Sequence, residues 1–147
     1  MTKLPHDALV LVGDGRKALF LRNIGDEQVP DLRTEEVFKE DSPPTREQGT
    51  DKPGRGFAAA GSPRRSGMEE TDWHHLEEQR FAERVAAALA EAVRRRHVPA
   101  IVVAAPPKTL ARLRHAFHAD VKAKVVAELD KDLTNEPVDR IEAHLSH

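Results

Sequence analysis

The sequence predicts an α/β fold in which helices pack on a mixed β-sheet. Three observations lead to this prediction: wholly apolar runs at residues 8–12 and 100–105, a long amphipathic segment between them, and alternating strand and helix patterns after it. The predicted order is three strands, a long loop, and then helix, strand, helix, strand and helix. A strand, a helical crossover and another strand, twice over, imply a mixed sheet covered by helices.

The first three strands are predicted from apolar runs separated by turn residues. Residues 8–12 (ALVLV) lie between Pro5 and Gly13, which is the pattern of a buried strand. After the turn Gly13-Asp14-Gly15, residues 17–24 (KALFLRNI) are apolar again, so these two strands are predicted to form a β-hairpin. Residues 28–40 indicate a third, more polar strand, and Pro30 places it at a sheet edge.

Residues 40–67 differ in composition from the rest of the chain. They contain five of the eight glycines and four of the ten prolines, and they show no apolar periodicity. A loop of this length inside a compact domain is uncommon, and such loops are usually functional or disordered. Both interpretations are open from composition alone.

The longest helix is predicted over residues 72–97. Thr71 or Asp72 can cap its N-terminus, and three arginines at 94–96 suit the negative end of the helix dipole. Six apolar residues lie on roughly one face: Trp73, Leu76, Phe81, Val85, Leu89 and Val93. This face is expected to pack on the sheet.

The C-terminal half continues the alternation of strands and helices. Residues 100–105 (AIVVAA) have the pattern of a strand buried on both faces, and prolines 106 and 107 end it. Residues 108–121 then repeat apolar positions at helical spacing, and residues 123–129 (AKVVAEL) indicate another strand. A helix over residues 138–145, preceded by Pro137, completes the chain.

Composition predicts one cytoplasmic domain over residues 1–147. The length fits one domain with a real core, and the absence of cysteine excludes disulfides, thiol nucleophiles and thiolate metal sites. No apolar stretch is long enough for a signal peptide or a membrane span. The net charge of −2 argues against indiscriminate nucleic-acid binding but allows a local basic patch.

Residues 13–18 (GDGRKA) match the letters of a dinucleotide-binding fingerprint. That fingerprint needs a helix directly afterwards to hold the pyrophosphate, and the apolar run here is too short before Gly25-Asp26. A hairpin turn is the better interpretation, since glycine accepts positive φ. No Gly-Lys-Ser/Thr sequence is present, so a Walker-type loop is excluded.

Metal-ligating residues occur but do not form a recognised pattern. His115 and His118 lie three residues apart on a predicted helix, as do His144 and His147, while His74 and His75 are adjacent. No H-E-x-x-H sequence is present, so surface histidines are expected and no metal or other cofactor is predicted. The alternative is a Mg²⁺ site formed by three carboxylates if the strand over 123–129 continues: Glu128, Asp130 and Asp132.

The long loop carries a local positive charge. Four basic residues and no acidic residue lie between positions 52 and 67: Lys52, Arg55, Arg64 and Arg65. Gly54 and Gly56 allow backbone N–H groups to approach an anion. These residues are the predicted phosphate contacts, and the alternative is that they only keep the loop solvated.

Several blocks of the sequence resemble a known family. The most specific blocks are Asp51-Lys52-Pro53-Gly54-Arg55, Arg80-Phe81-Ala82, Ala105-Pro106-Pro107 and Lys131-Asp132-Leu133-Thr134. They lie within longer similar stretches at residues 12–21, 50–73, 77–89, 101–114 and 125–145, which together cover nearly the whole chain. These stretches resemble the bacterial host attachment protein family, also described as protein required for attachment to host cells. That family is similar to the middle domain of archaeal and eukaryotic peptide-chain release factors, which implies a mixed α/β domain.

The same resemblance implies a role in translation. In release factors the loop before the long helix carries a Gly-Gly-Gln tripeptide that enters the peptidyl-transferase centre and helps water attack the peptidyl-tRNA ester. Residues 40–67 occupy the corresponding place, but 47–49 (EQG) and 54–56 (GRG) do not supply the tripeptide. Because rescue-factor relatives without it bind ribosomes without releasing peptide, the resemblance implies binding without hydrolysis.

The resulting hypothesis is a non-catalytic factor that binds RNA or the ribosome through residues 50–67, with Trp73 and Phe81 seating the long helix against the sheet. Two alternatives remain open from the sequence. One is a metal-assisted hydrolase of a phosphate or tRNA ester that uses the three carboxylates named above. The other is a protein-interaction module whose loop folds on its partner. The partner and the oligomeric state are not predicted.

Overall fold

The computed structural model describes residues 3–40 and 70–146 and has a mixed five-stranded sheet. The strands are β1 Leu9–Gly13, β2 Lys17–Asn23, β3 Leu32–Lys39, β4 Ile101–Ala104 and β5 Val125–Leu129. Their order is β3-β2-β1-β4-β5. β1 pairs antiparallel with β2 and parallel with β4, and β4 pairs parallel with β5. The predicted α/β fold, the N-terminal hairpin and the edge position of the third strand are confirmed.

The helices are α1 Glu70–Arg95, α2 Pro107–Ala116, α3 Ala119–Lys122 and α4 Val138–Ser146. The central strands β1 and β4 are buried completely because both faces of the sheet are covered. On one face Leu9 and Leu11 pack in a cluster with residues of α1 and α2. On the other face Val10 and Val12 pack with Ile141 and Leu145 of α4. The alternation of side chains along β1 thus supplies both cores.

The prediction of one continuous helix over residues 108–121 is wrong, because the structure has two helices, α2 and α3, in this segment. The chain leaves the helical conformation at Phe117 (ψ 137°) and His118 (ψ 160°), and α3 then forms a single further turn. Phe117 is buried in the same core as Val121. The extended pair redirects the chain so that both side chains reach the core, and apolar periodicity alone does not distinguish this from one straight helix.

Within the two described ranges, no helix combines the length and the apolar character that crossing a bilayer requires.

Candidate functional site

The loop predicted to carry function begins and ends at the same end of the sheet. β1, β4 and β5 finish at this end, which we call the C-terminal end of the sheet. Lys39, the last residue of β3, pairs with Lys17 at the start of β2, so β3 finishes there as well. Arg84 of α1 donates from Nη2 to the Lys39 carbonyl oxygen at 2.8 Å. Residues 41–69 therefore connect two elements that are hydrogen-bonded to each other, at the end of the sheet where open α/β folds place their ligands.

The β1–β2 turn is fixed by Asp14. Its Oδ1 accepts the backbone N–H groups of Arg16 at 2.9 Å and Lys17 at 2.8 Å. Gly15 has φ +98°, and a Cβ at this position would lie 3.2 Å from Thr109 Oγ1. Because β2 follows directly, the expected hairpin turn is confirmed and a dinucleotide cradle is excluded here.

A buried hydroxyl joins this turn to the connection between β5 and α4. Thr134 is 3% exposed, and its Oγ1 lies 2.6 Å from Asp132 Oδ1 and 3.2 Å from Asp14 Oδ2. The Thr134 backbone N–H also donates to Asp132 Oδ1 at 3.0 Å. A hydroxyl has one proton, so it donates to only one of the two carboxylates at a time. Two of the sequence blocks that carry the family resemblance therefore meet at the C-terminal end of the sheet.

Three carboxylates, those of Glu40, Glu77 and Glu78, lie close together just after the end of β3. Glu40 donates its backbone N–H to the Arg16 carbonyl oxygen at 2.7 Å, and its Oε1 lies 3.4 Å from Arg16 Nε. Burial, followed by a hydrogen bond with Glu77 and the nearby charge of Glu78, raises the pKa of Glu40 above its usual value, against the opposing charge of Arg16. When Glu40 is protonated, its O–H donates to Glu77 and joins the end of β3 to the start of α1.

Arg112 of α2 holds the first turns of α1. Its Nη1 donates to Glu78 Oε1 at 2.7 Å, and its Nη2 lies 2.8 Å from His75 Nδ1. A guanidinium only donates, so Nδ1 of His75 is the acceptor in this contact. Sequence reasoning did not find Arg112, Glu78, Glu40 or Thr134. Of these four residues, only Thr134 has a local signal that would have indicated a turn. In the Asp-x-Thr spacing at 132–134, the aspartate side-chain oxygen can accept the backbone N–H two residues later.

The predicted phosphate contacts lie outside the described residues. This applies to Lys52, Arg55, Arg64 and Arg65 and to the supporting glycines 54 and 56. Their roles stay predictions.

Of the two predicted aromatic supports, only Phe81 packs as expected. It is 4% exposed in the core cluster, and the Arg84 guanidinium lies 5.2 Å from its ring centroid. The expectation for Trp73 is wrong, since its side chain is 46% exposed. A helix of 26 residues spans about 39 Å, whereas a strand of five residues spans only about 17 Å. The first turn of α1 therefore extends beyond the sheet on which the later turns pack.

The conditional metal site does not form. β5 ends at Leu129, so the strand does not continue through Asp130 and Asp132. Glu128 instead binds Arg114, with the Nη2–Oε1 distance at 2.7 Å. Over residues 3–40 and 70–146, no three His, Asp or Glu side chains are grouped in a way that could hold a metal ion.

His115 and His118 do not lie on one continuous helix, as the three-residue spacing had suggested. The break between α2 and α3 separates His115 from His118, whose Nδ1 lies 3.3 Å from Arg94 Nη2. Of the other pair, His144 belongs to α4 and His147 lies outside the described residues.

Comparison with known proteins identifies the family. The search of curated proteins found no match. A family model described as bacterial archaeo-eukaryotic release factor family 12 matches residues 7–145. This match supports the relation to release factors that the sequence blocks implied, and it does not confirm the host attachment name. Since the match covers nearly all of the described residues and the segment between β3 and α1, the chain belongs to bacterial archaeo-eukaryotic release factor family 12.

Proposed function

We propose that this protein is a non-catalytic factor that binds RNA or the ribosome through residues 50–67. The observation that carries the proposal is the position of this basic segment in the chain. It lies between β3, which finishes at the C-terminal end of the sheet, and α1, in a chain whose family is related to release factors. Release factors carry their Gly-Gly-Gln tripeptide in the corresponding segment. A role at the ribosome places the protein in the cytoplasm.

The fixed base of the segment supports this proposal. Phe81 anchors α1 in the core, and Arg84 connects α1 to the end of β3. Arg112 binds the first turns of α1 through Glu78 and His75. Because β3 and α1 are held against each other, a connection between them loses less conformational entropy when it binds than a free chain does.

Binding without hydrolysis follows from the composition of the segment. Gly-Gly-Gln does not occur in the sequence, whereas four basic residues lie between positions 52 and 65. Lysine and arginine side chains bind phosphates, and the release of counterions makes such binding steeply dependent on salt. The proposed contacts are Lys52, Arg55, Arg64 and Arg65.

Co-sedimentation with purified ribosomes tests the proposal. The test variant replaces the four proposed contacts by alanine. The control variant removes the same charge from exposed positions elsewhere: Lys3, Arg33, Lys131 and Arg140. We expect the wild type and the control to co-sediment at low salt and the test variant to remain in the supernatant.

The salt dependence gives a quantitative check. The slope of log K against log salt is negative, and the loss of four phosphate contacts should make it shallower by about 3. Equal binding by the test variant and the wild type would show that residues 50–67 are not the contact. Wild-type binding to a lysate protein that survives nuclease treatment, without binding to RNA or ribosomes, would favour a protein-interaction module instead.

A further inference from the structure

Positive charge is concentrated in the C-terminal half of the chain, outside residues 50–67. Residues 92–124 contain eight lysines and arginines against one aspartate, a formal charge of +7 in a chain whose net charge is −2. This region runs from the end of α1 through β4, α2 and α3 to the start of β5. Since β4 is buried, most of this charge lies on the helices and their connections.

The surface of α2 and α3 contains an open groove of about 590 Å³, which we call the α2–α3 groove. It is lined by Ala111, Arg114, His115, Phe117, Lys122, Val125 and Glu128. The break at Phe117 and His118 forms it, because the chain turns there and α3 presents Lys122 to the same groove as Arg114. β5 forms the opposite wall and is the last strand of the described sheet.

The single carboxylate of the groove is already paired. Glu128 Oε1 accepts from Arg114 Nη2 at 2.7 Å and from Arg114 Nε at 3.1 Å. This contact uses Nε and Nη2 of the guanidinium and orients the side chain along the wall. A phosphate oxygen can then approach Nη1, the remaining nitrogen of the fork.

Three lysines near the groove have no carboxylate within 4.0 Å among the described residues: Lys108, Lys122 and Lys124. By contrast, four of the five arginines in residues 92–124 pair with acidic side chains, as Arg94 does with Asp120 and Arg112 does with Glu78. Lys108 is exposed one helical turn before Ala111, and Lys124 directly precedes β5. The positive charge of these three lysines is therefore not neutralised by a carboxylate within the described residues.

We propose that the α2–α3 groove binds the phosphate backbone of single-stranded RNA, as a second contact surface beside residues 50–67. RNA as the ligand rests on the proposed function, whereas the groove and its charge are features of the described structure. An open groove that is lined by the unpaired Lys122, with Lys108 and Lys124 close to its lining residues in the chain, suits a flexible phosphate chain. Sites that track the backbone of single strands are positively charged grooves of this kind.

The test measures the affinity of the full-length protein for a short, fluorescein-labelled single-stranded RNA over a series of salt concentrations. The groove variant carries Lys108→Ala, Lys122→Ala and Lys124→Ala. The control carries Lys3→Ala, Arg33→Ala and Arg140→Ala, which remove the same charge elsewhere. Circular dichroism melting shows that each variant is folded.

We expect the groove variant to bind RNA less tightly than the control does. Its negative slope of log K against log salt should be shallower by about 2, because three contacts with a single strand are lost. A groove variant with the affinity and slope of the control overturns the inference. If that variant instead loses binding only to a polyglutamate peptide, the groove is a site for acidic protein and the inference is again wrong.

The same assay separates this inference from the proposed function. The variant lacking Lys52, Arg55, Arg64 and Arg65 is measured in parallel. If that variant loses RNA binding while the groove variant keeps it, the groove inference fails and the proposed function stands. The reverse result supports the groove and refutes the role of residues 50–67. A wild type that binds no RNA overturns the groove inference, and the ribosome assay then decides the proposed function independently.

Discussion

Truncation of the two aromatic side chains of α1 distinguishes the structure from the sequence pattern. The pattern places Trp73 and Phe81 on one buried face, whereas the structure has Phe81 4% exposed and Trp73 46% exposed. Phe81→Ala should lower the free energy of unfolding by about 3–5 kcal/mol, since it creates a cavity in the core. It also removes the cation–π contact with Arg84, worth about 0.5–1 kcal/mol where exposed.

Trp73→Ala should change the free energy of unfolding by only about 0.5 kcal/mol, as for other surface positions. Alanine also favours the helix more than tryptophan does, which offsets part of any lost contact. Phe81→Leu is the intermediate case and should cost about 1 kcal/mol because most of the buried volume is kept.

Urea unfolding followed by circular dichroism measures all three variants with one signal. Fluorescence is unsuitable because Trp73 is the only tryptophan in the sequence. A cost for Trp73→Ala equal to that for Phe81→Ala would refute the described position of the first turns of α1.

Two further predictions concern the base of the proposed site, and a third concerns the turn between β2 and β3 at the opposite end of the sheet. Thr134→Val should lower the free energy of unfolding by about 1–3 kcal/mol in urea, because two carboxylates lose their shared donor while the side-chain shape is kept; an unchanged midpoint would contradict this. The raised pKa of Glu40 means that its stabilising contribution is complete below pH 4.5 and is lost as pH rises through the raised value. Glu40→Gln keeps a donor toward Glu77 without the charge, so thermal melts should show the variant gaining stability relative to the wild type as the pH rises through the raised pKa of Glu40; parallel curves would argue against this. Gly25→Ala should destabilise by about 1–3 kcal/mol in the same melts, since its Cβ would clash with the Val29 carbonyl oxygen, and a neutral result would refute the described turn.

The sequence was sufficient for elements whose signal is local. Gly13 and Gly15 indicated a hairpin turn, and the apolar run at residues 100–105 indicated a strand buried on both faces, as observed. Pro30 correctly indicated an edge strand, because a residue without an N–H group is tolerated where pairing ends.

Contacts between distant residues could not be read from spacing. Thr134 and Asp14 lie 120 positions apart, and Arg112 and Glu78 lie 34 apart. These contacts depend on the parallel order β1-β4-β5, which brings the ends of separate strands together. The break after α2 has a similar origin, since burial of Phe117 in the core outweighed the helical periodicity of the segment.

Crosslinking of RNA to the protein in cells, with the attachment sites mapped by mass spectrometry, is the decisive test of binding through residues 50–67. We expect ribosomal RNA attached to peptides from these residues. RNA recovery no higher than that from an uncrosslinked sample, or attachment confined to peptides outside that segment, would contradict it.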